Sequence, residues 1–220
     1  MKKVPALRPR DAATLIIVRG QSEVLLGVRS AKHVFMPHMY VFPGGKVDGG
    51  DARVSSPMAL RPEVEAKLTQ SVSAARARAL AMTAVRETFE ETGLIIGRKT
   101  NKPPQTRSPG WRPFFATGFV PALDKLDYVA RAITPPGGVR RFDARFFLVD
   151  AAEVSGELNG NGELEDLAWV PLATASSLPL SEITEMMLDC LRKRLTGADQ
   201  YPQQIPFYRE RFGREVLESD

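Results

Sequence analysis

Arg86-Glu87-Thr88-Phe89-Glu90-Glu91-Thr92-Gly93-Leu94 places three carboxylates and one guanidinium within a segment that reads as a helix stopped by glycine. At about 100° per residue, Glu87, Glu90 and Glu91 fall within an arc of about 100°, and Arg86 lies one turn before Glu90 at the edge of that face. Like charges so close repel, by roughly a few tenths of a kcal/mol per pair on an exposed helix. A divalent cation would offset that repulsion, whereas the alternative is a solvated acidic face. Met82, Val85 and Phe89 cluster about half a turn away, so one side of the helix can pack on a core while the other stays polar.

Working upstream, Val41-Phe42-Pro43-Gly44-Gly45-Lys46-Val47-Asp48-Gly49-Gly50-Asp51 reads as a short apolar strand breaking into a glycine loop with two acids. Paired glycines allow close backbone approach, so a carbonyl there could turn toward a cation. Joined to the carboxylate helix, this loop resembles the signature of the Nudix hydrolases. Gly45 matches the opening glycine, and Asp51 stands where that family usually has glutamate. Arg86, Glu87, Glu90, Glu91, Gly93 and Leu94 match the second half. There are two departures. Thr88 occupies a position that is usually apolar, and residues 52–85 form a spacer of 34 where the pattern has seven. A long insertion at this point is similar to the branch that holds the peroxisomal coenzyme A diphosphatases and their bacterial relatives. Leu25 to Ala31, Phe35-Met36-Pro37, and Thr134-Pro135-Pro136 followed by Arg140 to Phe147 fit that branch too.

The resemblance implies an α/β fold, the Nudix α/β/α sandwich with a mixed sheet and a segment inserted within the box. It implies Glu87, Glu90 and Glu91 as metal ligands, the Gly45 carbonyl as a further one, and Arg86 as an orienting partner that pairs with a glutamate through its rigid fork. Oxygen donors with few histidines point to Mg²⁺ or Mn²⁺ rather than zinc. His33 and His38 are the only histidines, and they read as loop or structural residues. The general base varies in this family; a box glutamate such as Glu90, or a loop acid, Glu163 or Glu165, could serve. Arg29, Arg140 and Arg141 are candidates for holding phosphates beyond the scissile bond, with Phe142 placed to stack on a base or to pack in the core.

The chain has 220 residues, of which 43% are apolar, enough for a full core and in keeping with one domain over 1–220. Its formal net charge of +4 and pI near 9.3 suit an anionic ligand. Long basic stripes interleaved with aromatics are missing, so no nucleic acid is expected, and Arg192-Lys193-Arg194 reads as a helix end. Cys190 is the single cysteine, so no disulfide can form within the chain and a reducing compartment fits. The basic Met1-Lys2-Lys3 is followed by no apolar leader and no run is long enough for a membrane span, which gives an expectation of a cytoplasmic, bacterial protein. Many relatives pair into dimers, but no residue here selects a homodimer.

Ala13–Val18 and Val24–Val28 read as a hairpin and Tyr40–Phe42 as a third strand. The insertion, about 52–73, carries a short helix near Glu63–Gln70 and reads either as a surface decoration or as a lid. Ala74–Thr92 is the long helix with Gly93 as its stop. Residues 97–110 form a polar, proline-broken loop. Further strands are expected at Phe114–Val120, Ala130–Ile133, Arg141–Val149 and Glu165–Val170. A last helix near Ser181–Leu195 then opens a C-terminal helix-and-tail region, 181–220. The leading function is hydrolysis of the diphosphate in coenzyme A or an acyl derivative, giving 3′,5′-ADP and a phosphopantetheine. The same box would serve ADP-ribose or a dinucleotide, because specificity lies in loops outside it. A silent nucleotide-binding regulator would be expected to have lost its glutamates, and all three are present.

Overall fold

Alternation along Ala13-Thr14-Leu15-Ile16-Ile17-Val18 sets the layering. Ala13, Leu15 and Ile17 enter one buried cluster while Ile16 and Val18 enter another. A strand that is apolar on both faces needs a packed layer on each side. In the computed structural model, which describes residues 7–31, 37–137, 140–197, 204–211 and 214–219 (backbone only at 211, 214, 215, 217 and 219), helices supply both layers. His33, Phe35 and Met36 lie outside the described residues.

In chain order the elements are β1 (Arg10–Arg19), β2 (Glu23–Arg29), β3 (Tyr40–Val41), β4 (Gly44–Lys46), α1 (Gly49–Arg53), α2 (Pro62–Leu68), α3 (Ala74–Thr92) and β5 (Gly97–Lys99). There follow α4 (Trp111–Ala116), β6 (Phe119–Pro121), β7 (Asp127–Ile133), β8 (Phe142–Asp150), β9 (Leu164–Pro171), α5 (Glu182–Leu195), β10 (Pro206–Arg211) and β11 (Arg214–Ser219). The main sheet runs β11-β10-β7-β8-β1-β2-β3, with β4 also on β1 and β9 also on β2. Its β1–β8 and β7–β10 pairs are parallel and the others antiparallel, so the sheet is mixed as expected. On one face, Leu80, Ala84 and Val85 of α3 pack with Leu15, Ile17, Tyr128 and Phe147. On the other, Met187, Leu188 and Leu191 of α5 pack with Ile16, Val24, Leu26 and Phe146.

The long helix has the predicted limits. Ser73 caps its start by accepting the Arg76 N–H, and Gly93, at φ 74°, closes its end with an N–H bonded to the Phe89 carbonyl. The insertion is neither a lid nor a decoration. Val54, Leu60, Val64 and Leu68 are all buried in the α3-side core, and at roughly 1.5–3 kcal/mol per buried aliphatic side chain this packing is too costly to undo in a swinging element. Ser56 donates to the Pro121 carbonyl and Arg61 pairs with Asp127, which ties the segment to β6 and β7.

Four readings are corrected. The strand expected at Phe114–Val120 begins as α4, because Trp111, Phe114 and Phe115 are buried at i, i+3 and i+4; Pro113 fits in the first turn, and only Phe119–Pro121 is extended. The glycine loop contains a strand, β4, paired to β1, and its two acids start a helix. The C-terminal tail contains the β10–β11 hairpin, which adds to the β7 edge. Residues 97–99 at the start of the expected loop pair with β6 instead.

Candidate active site

β4 is held against β1 through the rungs Thr14↔Gly44, Ala13↔Gly45 and Ala12↔Lys46. At Gly45 the strand lies tight against a side chain of α3. A Cβ on Gly45 would come within 2.5 Å of Glu87 Cδ, so only a bare backbone lets that carboxylate press on the strand. Next to it, the Gly44 N–H donates to Glu91 Oε2 at 2.8 Å. Two consecutive glycines therefore receive two of the three glutamates of the helix.

Asp48 caps α1 by accepting the Gly50 N–H, and Asp51 returns the bond by accepting the Asp48 N–H. That short helix delivers Asp51 into a fully buried position. There its Oδ1 accepts Arg86 Nε and Trp111 Nε1, each at 2.8 Å, and its Oδ2 accepts Arg86 Nη2 at 2.9 Å and the Thr83 hydroxyl at 2.8 Å. The other side of Arg86 reaches Glu87 at 2.9 Å, Glu90 at 3.2 Å and the Lys46 carbonyl at 3.2 Å. The orienting pair read from sequence, arginine with a glutamate, is thus secondary to a bidentate bond with Asp51.

One guanidinium faces three carboxylates, Asp51, Glu87 and Glu90, and the electrostatics follow. Burial pushes Glu91 up to about 8, with the Glu87 charge adding to it and the Gly44 N–H opposing it. Burial likewise raises Glu87 to about 7 against the pull of Arg86, and raises Glu90. Burial would raise Asp51 as well, but the Arg86 guanidinium, the Asp48 N–H and the Thr83 hydroxyl together outweigh it and hold that carboxyl below its ordinary range. Arg86 itself is kept firmly charged: burial opposes the charge, and its carboxylate partners overcome it.

These shifts give a pH signature with a definite sign. For Glu87 and Glu91 the folded state retains protons that the unfolded chain has released, so stability falls as pH rises from near 4.5 to about 8. Thermal melts of the metal-free protein should show a lower Tm at pH 8.5 than at pH 5.5, and saturating Mn²⁺ should abolish most of the difference. A Tm that is flat over this range would mean the two carboxylates are already compensated.

The carboxylates form one wall of a cleft of about 1240 Å³. Arg29, Arg140, Arg141 and Phe142 line the same cleft, so the substrate-side candidates meet the three glutamates there. Its floor includes the alternate residues of two parallel strands, in the rungs Arg10↔Phe142, Ala12↔Ala144 and Thr14↔Phe146. Arg29 lies close enough to Glu91 for its charge to act on that group. Arg141 is held by the Thr134 and Leu7 carbonyls at 3.0 and 2.8 Å. Of the three candidate bases, Glu90 and Glu163 line the cleft, whereas Glu165 is an exposed residue of β9 outside its lining. His38, at φ 62°, sits in the turn before β3 with its N–H on the Arg29 carbonyl, away from the cleft lining.

Neither the family models nor the curated proteins contain a match to this chain. Among solved structures, a Nudix hydrolase from Alicyclobacillus acidocaldarius is 28% identical, with a TM-score of 0.63 over 84% of this chain and 91% of that one. The chain has the fold of the Nudix hydrolases. A MutT protein from Bacillus halodurans shares the fold at 14% identity, with a TM-score of 0.52 over 95% of this chain and 97% of that one.

Nudix hydrolases generally use a divalent metal, and the donor set of this chain can be tested for fit. Among the described residues no three imidazole, thiol or carboxylate groups already form a metal cage, because Glu87 and Glu90 are turned onto Arg86. The chemistry nevertheless fits a hard cation. Glu87, Glu90 and Glu91 are all-oxygen donors on one cleft wall, and burial drives each toward a neutral form that a cation would reverse. Sequence reasoning passed over Thr83 and Trp111, which share Asp51 with Arg86, and Arg8 and Arg10, which line the cleft. Trp111 lies 60 positions from Asp51, and no periodicity joins them. No helix among the described residues is long and apolar enough to cross a membrane.

Proposed function

We propose that this chain is a Nudix hydrolase that cleaves the diphosphate of a nucleoside diphosphate derivative, with coenzyme A or an acyl-coenzyme A as substrate, giving 3′,5′-ADP and a phosphopantetheine. The supporting observation is the charge layout of the cleft. Glu87, Glu90 and Glu91 line the wall beside the glycine strand, while Arg8, Arg10, Arg140 and Arg141 line the part near the starts of β1 and β8 with no carboxylate ion pair among the described residues. Arg10 and Arg141 are adjacent, since the Arg10 N–H bonds the Arg141 carbonyl. Four residues of strand, about 13 Å, separate the Arg10 rung from the Thr14–Gly44 rung. Coenzyme A carries a phosphomonoester in addition to its diphosphate, and a guanidinium group near the starts of β1 and β8 answers that second anion.

In this reading Glu87, Glu90 and Glu91, with the Gly45 carbonyl, hold Mg²⁺ or Mn²⁺. The bound ion neutralises diphosphate charge and lowers the pKa of a bound water. Arg86 keeps the glutamates in place from its seat on Asp51. Glu163 accepts the proton as water oxygen bonds to phosphorus and the bridging P–O bond breaks, the leaving phosphate departing with the bridging oxygen. The cleft's apolar floor, including Phe142 and Phe146, packs against the base or the pantetheine arm. The chain acts as one domain over 1–220.

Product chromatography tests this. Wild type and Glu90→Gln are each incubated with coenzyme A, ADP-ribose and a dinucleotide, with Mg²⁺ and with Mn²⁺. Preferred release of 3′,5′-ADP from coenzyme A by wild type alone is the expected result. Preference for ADP-ribose or the dinucleotide would discard the coenzyme A assignment and keep the site.

A further inference from the structure

We infer that Trp111, which lies outside the signature motif, is a positioning residue for the glutamates, acting through Asp51 and Arg86; the inference rests on the functional reading above. The motif in this chain is unusual in two ways that weaken its closure. Its first acid is an aspartate, one methylene shorter than the usual glutamate, and 34 residues separate it from Arg86. Both changes leave the Asp51–Arg86 contact less constrained by the chain itself, so its geometry has to be held from elsewhere.

Trp111 supplies that constraint. The residue is fully buried, with its ring set against Phe114 at 5.3 Å and Phe115 at 5.8 Å, and Phe114 in turn meets Phe89 of the catalytic helix edge-on at 5.4 Å. An indole so packed has one direction for its N–H, and that N–H ends on Asp51 Oδ1 at 2.8 Å. Indole donates only and carries no charge, so it orients the carboxylate without competing for Arg86. The loop leading to it lies directly over the network: a Cβ on Gly110 would come 2.9 Å from Glu90 Oε1 and 3.0 Å from Arg86 Cδ.

The consequence runs outward along the bonds. With Trp111 and Arg86 Nε sharing Oδ1, and Arg86 Nη2, Thr83 and Asp48 sharing Oδ2, the carboxylate plane is fixed and the guanidinium plane with it. The free edge of that guanidinium then meets Glu87 and Glu90. Removing the indole donor leaves Oδ1 held by Arg86 alone, so the Asp51–Arg86 pair can tilt about its remaining bonds and the two glutamates tilt with it.

The test uses Trp111→Phe, with Leu191→Ala, buried in the cluster on the other face of the sheet and outside the cleft lining, as a packing control, and three readouts. These are steady-state kinetics on the substrate that wild type cleaves, a Mn²⁺ titration with no substrate, and the Arg86 Nε–H resonance in metal-free protein. Trp111→Phe is expected to lower kcat about 10- to 100-fold with KM nearly unchanged, to weaken Mn²⁺ by a similar factor, and to broaden the Arg86 signal. Leu191→Ala should lower the unfolding midpoint and leave all three readouts in place. If Trp111→Phe does not fold, a Trp169→Phe background with the remaining indole replaced by its benzothiophene isostere keeps the ring and removes only the N–H. Wild-type kcat, Mn²⁺ affinity and Arg86 signal in either protein would overturn the inference. Full activity in Glu91→Gln measured alongside would instead remove the functional reading on which it rests.

Discussion

Replacing Glu91 by glutamine lowers kcat by about 10²-fold or more while the folded state is kept, by the measure of removing one charge-stabilising group elsewhere. The side chain is 4% exposed and its Oε2 accepts the Gly44 N–H at 2.8 Å, a bond the glutamine carbonyl can keep. What disappears is the negative charge, which burial and the neighbouring Glu87 already oppose in the metal-free protein. The variant should therefore melt at or above the wild-type temperature at pH 8 without metal while losing turnover with it. Opposite signs for stability and activity separate a functional carboxylate from a structural one. Turnover near that of wild type would take Glu91 out of the metal site.

Asp51→Ala should have the largest effect on stability, about 3–5 kcal/mol in denaturant unfolding, because it leaves a buried guanidinium without its main partner. Arg86 is only 6% exposed, and the Trp111 indole, the Thr83 hydroxyl and the Asp48 N–H lose their acceptor in the same step. Asparagine is no remedy, since its amide group turns donors onto donors. Glutamate, although usual in the family, adds a methylene at a position with no exposed surface and should cost about 1–3 kcal/mol. An unfolding midpoint for Asp51→Ala close to that of wild type would show that Arg86 is satisfied by Glu87 and Glu90 alone.

The long helix was legible to the residue, because its cap, its stop and its apolar face are all local signals. The first two strands and the last helix were legible for the same reason: period-2 and period-3.6 patterns are written in adjacent residues. Misreadings came where local chemistry was ambiguous. Phe114 and Phe115 have the composition of a strand but are buried with helical spacing beside Trp111. Gly44-Gly45-Lys46 has the composition of a loop but is held extended by β1, a partner 30 positions away in the chain. The insertion could be neither placed nor dismissed, since its four buried side chains show their role only against α3 and β7.

By itself the sequence determined the α/β class, the long helix with its three carboxylates on one face, and the glycine pair upstream of it. These follow from helical period, capping chemistry and the steric freedom of glycine, all of which act over a few residues. The tertiary structure alone decided that Asp51 is the main seat of Arg86, that Trp111 and Thr83 share it, and that Glu163 rather than Glu165 faces the cleft. It also gathered Arg8, Arg10, Arg140 and Arg141 in one part of the cleft, because parallel pairing brings the starts of β1 and β8 together across more than a hundred residues. Hydrogen bonds between buried side chains depend on where packing leaves each group, and that is a property of the folded whole.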